Sequence, residues 1–80
     1  MYESVLQAVI QSLSQVIDDK EITITPESHL IDDLELSSYE LLQLLIRLED
    51  EHGLEIPERY FRRMLTVKDA AQVITELAQG

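Results

Sequence analysis

Hydrophobic residues repeat at helical spacing in several stretches of the chain. The first stretch has apolar residues three and four positions apart and predicts an amphipathic helix from Val5 to Ile17. Its apolar positions are Leu6, Val9, Ile10, Leu13, Val16 and Ile17. Ser4 is followed three residues later by Gln7, the spacing of a capping box. This pair predicts that the first helix begins just after Ser4.

The second stretch predicts the most regular helix, from Ser38 to His52. Its apolar face is wider than one flank of a small bundle needs and contains Leu41, Leu42, Leu44, Leu45, Ile46 and Leu48. Ser37 and Glu40 have the spacing of a capping box, and Gly53 suits the left-handed residue that often ends a helix. Ser37 is therefore predicted to cap the helix, which leaves the Ser38 hydroxyl directed toward solvent.

Two further helices complete the predicted fold. Pro57 suits the first position of a short third helix that extends to about Met64. Thr66 and Asp69 have the capping-box spacing and begin a fourth helix. The apolar stripe of that helix contains Val67, Ala70, Ala71, Ile74 and Leu77. The pattern predicts an all-α four-helix bundle, with three longer helices and a short third one, in a single domain over residues 1–80.

A long loop connects the first two predicted helices. The β-like run of residues 22–24 is too short to indicate a strand by itself. Thr25 and Pro26 predict a short helical turn that includes Ser28. We expect four apolar side chains to hold the loop on the core, namely Leu30, Ile31, Leu34 and Leu36. A loop of this length within a compact domain usually has a function.

The charge of the chain narrows the classes of partner. The net charge is −10, and this excess of carboxylates argues against nucleic acid and anionic membrane surfaces. A basic protein surface is the natural complement. The chain has no cysteine, so a disulfide, a thiol nucleophile and a thiolate metal site are excluded. No apolar run approaches the length of a membrane span, and the first residues lack the pattern of a signal peptide. We expect a cytoplasmic monomer without a metal site or membrane insertion.

Ser38 is the candidate for chemistry because a helix N-terminus provides free amides and a partial positive charge that favour a phosphate group. A hydrolase would need a base beside this serine. His52 lies about 20 Å away by helical rise, and His29 lies in the loop, where distance alone does not exclude it. No catalytic residue is assigned. Two hypotheses remain from the residues alone: an attachment point at Ser38, or an acidic helical interaction module without a prosthetic group.

Three parts of the chain resemble the acyl carrier protein family. They are Leu30–Leu34, the run from Ser38 through Glu40 to the Glu-Ile-Pro sequence ending at Pro57, and Thr66–Ala71. The resemblance covers essentially the whole chain. It implies a non-catalytic carrier domain in which a phosphopantetheinyl transferase attaches 4′-phosphopantetheine from coenzyme A to Ser38. The thiol of this arm would hold fatty acyl, polyketide or aminoacyl groups as thioesters. The implied partners also include acyl-loading and acyl-processing enzymes, such as synthases, transferases or adenylating ligases.

The resemblance also implies a surface for these partners. On the second helix it would include Tyr39, Glu40, Leu41, Arg47, Glu49 and Asp50. Ser37 and Tyr39 stand where the family usually has aspartate and leucine, which changes the charge and shape beside Ser38. The third helix contains Arg59, Arg62 and Arg63, where family members are often acidic. These arginines are interpreted either as a solvated face or as the mark of a partner unlike those of ordinary fatty-acid synthesis.

Overall fold

The computed structural model describes residues 1–19 and 21–80 and contains four helices in that part of the chain. Three are α-helices: α1 (Tyr2–Val16), α2 (Ser38–His52) and α3 (Val67–Gln79). A short 3₁₀ helix, η1 (Glu58–Arg63), lies between α2 and α3. No helix in the described ranges is long and apolar enough to cross a membrane. The predicted all-α bundle with a short third helix is confirmed.

The core lies where α1 packs against α3 and α2. Apolar side chains at helical spacing from all three helices meet there, because each helix has one stripe that must be removed from water. Loop residues such as Leu30, Leu34 and Leu36 complete the core. The largest fully buried apolar side chains are Leu13, Leu30, Leu44, Leu48 and Ile74.

The predicted start of α1 is wrong. The helix begins at Tyr2, and Met1 occupies the N-cap position without a side-chain cap. The Met1 carbonyl accepts the first helical hydrogen bond, from the Val5 amide at 3.1 Å. Ser4 therefore lies inside the first turn, and its hydroxyl donates to that same carbonyl at 3.0 Å. The capping box expected with Gln7 does not form, because a serine inside a helix bonds backward to a carbonyl.

The boundaries of α2 are confirmed. Its start carries the predicted capping box, and Gly53 adopts the left-handed conformation (φ 61°, ψ 40°) after its last residue. Pro57 is the N-cap of η1 rather than its first helical residue, because its ψ of 144° is extended. The third helix therefore begins one residue later than predicted, at Glu58.

Three predicted core positions are exposed. Leu42 and Ile46 retain 54% and 53% of their accessible surface, and Ile31 in the loop is exposed as well. The apolar face of α2 is wider than the surface that α1 and α3 cover, so its outer edge stays in water. Leu44, Leu45 and Leu48 are the α2 residues that are buried.

The long loop is bonded directly to the start of α3. Instead of the predicted helical turn, Thr25 to Ser28 form a single turn closed by a 3.0 Å hydrogen bond from the Ser28 amide to the Thr25 carbonyl. The first two amides of α3 donate to the loop: Val67 to the Ser28 carbonyl at 3.0 Å and Lys68 to the Pro26 carbonyl at 2.9 Å. The loop thus supplies acceptors that a helix start otherwise lacks.

A capping box completes this helix start. Thr66 and Asp69 each accept the other's amide hydrogen bond through their side chains, as predicted. His29 and Thr66 form an isolated β-bridge, and the Leu30 amide donates to the Leu65 carbonyl at 2.9 Å. The loop between α1 and α2 is therefore attached to the start of α3 through residues 26–30, and from there the chain continues to the start of α2.

Candidate functional site

Ser38 is the first residue of α2, and its side chain is exposed. Its neighbour Ser37 is the cap: the Ser37 hydroxyl accepts from the Glu40 amide at 3.1 Å. The Glu40 carboxylate in turn accepts from the Ser37 amide at 2.9 Å. The Ser38 hydroxyl makes no hydrogen bond with any residue that the structure describes. Capping therefore occupies Ser37 and leaves Ser38 available.

The helix starts at the two capping boxes differ in how many backbone amides remain without an acceptor. At α3 the box and the loop together bond the first four amides. At α2 the box bonds the amides of Ser37 and Glu40, and within the described residues those of Ser38 and Tyr39 have no acceptor. These two donors add to the partial positive charge of the helix end. The start of α2 therefore offers free amide donors to a phosphate group, and the first four amides at the start of α3 are already bonded.

Hydrogen bonds among loop residues fix the chain segment that precedes Ser38. The Asp33 carboxylate accepts from the His29 amide at 2.7 Å. His29 Nδ1 accepts from the Asp32 amide at 3.0 Å and from the Ile31 amide at 3.2 Å. Glu35 then turns the chain toward α2 with a φ of 54°, a left-handed conformation that is costly for a residue with a side chain. His29 thus acts as a structural acceptor within the loop.

The second histidine is structural as well. His52 Nδ1 lies 2.9 Å from the Leu48 carbonyl, one turn back along α2. It lies at the opposite end of α2 from Ser38. His52 is therefore not placed to act as a base for Ser38.

An apolar hollow of about 50 Å³ lies between α2 and η1. Leu41 and Leu45 of α2 line it together with Phe61 and Met64. Phe61 was not singled out from the sequence, although the available signal was a pair of adjacent aromatic residues, Tyr60 and Phe61, between arginines. Leu41 belongs to the first turns of α2, so the hollow opens in the same part of the molecule as the attachment candidate.

The α2 residues expected to form a partner surface differ in exposure and in hydrogen bonding. Tyr39 is exposed, and its hydroxyl accepts from the Gln43 amide group at 3.1 Å. Arg47 donates to the side chain of Gln15 in α1 at 2.7 Å. The remaining acidic residues divide: Glu49 accepts from the Ile56 amide at 2.8 Å, while Asp50 is exposed.

The structure adds an apolar stripe to that surface. Leu42 and Ile46 lie three and seven residues after Tyr39, so the three exposed side chains share one face of α2. The excess width of the apolar face was the signal in the sequence, but periodicity could not assign its outer edge to solvent. The exposed face of α2 is therefore more apolar than the charge pattern indicated.

The three arginines of η1 do not have equal roles. Arg63 forms an ion pair with Glu76 of α3, and this hydrogen bond lowers the pKa of Glu76 and raises the pKa of Arg63. The guanidinium groups of Arg59 and Arg63 lie 5.1 and 5.5 Å from the centre of the Tyr60 ring. Arg62 is exposed. The sequence grouped these residues, whereas the structure separates Arg63 from the other two.

Comparison with known proteins decides the family. The family model described as a phosphopantetheine attachment site matches residues 5–77. This chain belongs to the acyl carrier protein family. An acyl carrier protein of Helicobacter hepaticus is 36% identical over 73 residues, covering 91% of both chains. One of Rubrobacter xylanophilus is 31% identical over 74 residues, covering 92% of this chain and 91% of the relative. The meromycolate extension acyl carrier protein of Mycobacterium leprae is 26% identical over 77 residues, covering 96% of this chain and 67% of the relative.

The prosthetic group of the family is phosphopantetheine, and the start of α2 fits such a group. A phosphodiester needs an accessible hydroxyl, and Ser38 is exposed. It also needs surroundings that accept negative charge, which the free amides of Ser38 and Tyr39 and the helix dipole provide. Acyl carrier proteins carry their cargo and leave its chemistry to other proteins. The resemblance inferred from the sequence is confirmed at the level of the family and its cofactor.

Proposed function

We propose that residues 1–80 act as one carrier domain in which Ser38 carries 4′-phosphopantetheine. The observation that supports this most directly is the exposed, unbonded Ser38 hydroxyl beside two free amides at the positive end of α2. The capping role that would otherwise explain a serine here belongs to Ser37. Ser38 is therefore the group that the fold leaves available for modification.

Attachment would form one bond and break one. The Ser38 oxygen would form a P–O bond to the pantetheine-bearing phosphorus of coenzyme A, the P–O bond of the pyrophosphate bridge would break, and adenosine bisphosphate would leave. The serine proton would pass to a base of the transferase. A separate phosphopantetheinyl transferase is therefore part of the proposal.

The chain's own residues would then bind and present the arm. The amides of Ser38 and Tyr39 would donate to the phosphodiester oxygens. When bound, the group supplies the thiol that this cysteine-free chain lacks and holds an acyl group as a thioester. The hollow lined by Leu41, Leu45 and Phe61 would shelter an apolar part of the cargo.

The exposed face of α2 would meet the enzymes that load and process the cargo. Its apolar stripe of Tyr39, Leu42 and Ile46 supplies contact area, and the exposed carboxylate of Asp50 suits a basic partner residue. The relatives are named as acyl carriers, one group of them for meromycolate extension, which supports an acyl cargo.

Intact-mass measurement tests the attachment. The purified protein is incubated with coenzyme A, Mg²⁺ and a broad-specificity phosphopantetheinyl transferase, beside Ser38→Ala and the matched control Ser37→Ala. We expect one phosphopantetheinyl group on the wild type and on Ser37→Ala, and none on Ser38→Ala. An unmodified wild type would contradict the proposal and favour the interaction module without a prosthetic group. A modified Ser38→Ala would show that the attachment residue is a different one.

A further inference from the structure

Positive charge is concentrated in η1 of a strongly acidic chain. The chain has six lysines and arginines and a net charge of −10, and three of these six residues lie within the six residues of η1. An acidic protein gains solubility from its negative charges alone, so solubility does not account for this cluster. The concentration of arginines in η1 therefore needs an explanation in the surroundings of that helix.

One of the three arginines forms an ion pair within the molecule. Arg63 donates to Glu76 through two guanidinium nitrogens, which connects η1 to α3. Both groups are partly exposed, so the pair contributes modestly to stability. Its positive charge is nevertheless paired within the molecule, with Glu76.

The other two arginines have no such balance. Neither Arg59 nor Arg62 forms an ion pair with a residue that the structure describes. Arg59 lies against the Tyr60 ring, which restricts its side chain before any partner arrives. Both arginines line an open hollow of about 540 Å³ with Phe61 and Glu58, and Phe61 is 41% exposed there. Arginine and phenylalanine are both enriched in protein–protein interfaces relative to the rest of the protein surface.

We propose that the η1 hollow, defined by Glu58, Arg59, Phe61 and Arg62, docks a protein partner through carboxylates that pair with Arg59 and Arg62. This inference rests on the proposed carrier function and names the chemistry of one partner surface. Phe61 connects the two sites, since it also lines the apolar hollow beside Leu41 of α2. A partner seated on η1 would therefore lie next to the cargo.

Charge decides between a protein and other anionic partners. Nucleic acid and anionic membranes carry dense charge over long distances, and the net charge of −10 would repel them. A few carboxylates on a protein act at short range and can pair with a guanidinium in a two-pronged geometry. The partner surface should be bipolar, with acidic groups for η1 and basic groups for Asp50 of α2.

Site-directed photo-crosslinking tests this docking. Benzoylphenylalanine replaces Glu58, an exposed residue of the hollow, in the full chain expressed in the cells that produce it. The crosslinked partner peptide is then identified by mass spectrometry. The probe is combined with R59E/R62E, with R62E alone, with the charge-preserving R59K/R62K, and with K68E as a control that reverses a charge on α3. Circular dichroism and intact mass are recorded for every sample.

We expect a crosslinked peptide with more Asp and Glu than Lys and Arg. Its yield should fall about tenfold or more in R59E/R62E and should fall in R62E, because like charges then face each other. R59K/R62K and K68E should retain most of the yield. An absent crosslink, an unchanged yield in a folded R62E, or a basic crosslinked peptide would overturn the proposal. The intact masses show whether Ser38 is modified and so separate the two proposals. A sample with modified Ser38 and no crosslink would refute the docking proposal alone. A sample with unmodified Ser38 would refute the carrier function.

Discussion

Removing the hydroxyls of Ser37, Ser38 and Thr66 one at a time should separate structure from chemistry at the helix starts. In the change Ser37→Ala, the Glu40 amide loses its acceptor, a 3.1 Å hydrogen bond. Such a change generally costs about 0.5–2 kcal/mol. Because Ser37 is exposed, water can replace the lost acceptor, and we expect a cost of about 1 kcal/mol. Thr66→Ala removes the equivalent acceptor of α3, where Thr66 and Asp69 are partly buried, so its cost should be closer to about 2 kcal/mol.

Ser38→Ala should behave differently. The Ser38 side chain makes no hydrogen bond within the described residues, and alanine favours helix more than serine does by a few tenths of a kcal/mol. The free energy of unfolding should therefore stay the same or rise slightly, while phosphopantetheine attachment is lost.

Urea and thermal unfolding followed by circular dichroism measure these changes on the unmodified proteins. A loss of about 1 kcal/mol lowers the melting temperature of a domain of this size by roughly 4–8 °C. The reasoning would be refuted if Ser38→Ala lost as much stability as Ser37→Ala, since Ser38 would then have a structural role that the geometry does not show.

Three further changes test the core, the loop and the η1–α3 contact. Leu48→Ala should cost about 2–5 kcal/mol in urea unfolding because Leu48 is fully buried, whereas the exposed Leu42→Ala should stay within about 0.5 kcal/mol. Glu35→Gly should raise the free energy of unfolding by about 1 kcal/mol because glycine accepts the positive φ, and Glu35→Ala should give no such gain. The lowered pKa of Glu76 means that its pair with Arg63 stabilises the fold above pH 4.5 and is lost as the pH falls through the lowered value. Glu76→Gln should therefore flatten the acid side of a stability–pH profile, and an unchanged profile would argue against the pair.

Capping chemistry explains which parts of the fold the sequence predicts. Ser37 with Glu40 and Thr66 with Asp69 mark real helix starts, because Ser37 and Thr66 have extended backbones and their side chains accept from the amides three residues later. The same spacing at Ser4 fails, because the Met1 carbonyl already begins the helix three residues earlier. A capping motif therefore predicts a helix start only where the preceding residues cannot extend the helix.

The candidate site is predicted in part for a similar reason. The Ser37 cap follows from local sequence, and the exposed position of Ser38 follows from that cap. The outer positions Leu42 and Ile46 could not be assigned, since periodicity defines a face without defining how much of it a neighbour covers. The different roles of Arg62 and Arg63 could not be predicted either. Arg63 pairs with Glu76, thirteen residues later, and this contact depends on how η1 packs against α3.

The bonding of the loop to α3 limits how this domain can be recombined with its relatives. Three hydrogen bonds join residues 26–30 to residues 65–68, and they run between backbone atoms whose spacing depends on both segments. A chimera that takes the loop from one carrier and the last helix from another would have to preserve this register across its junction. The two segments should therefore be exchanged together, as one inherited block, even though α2 and η1 separate them along the chain.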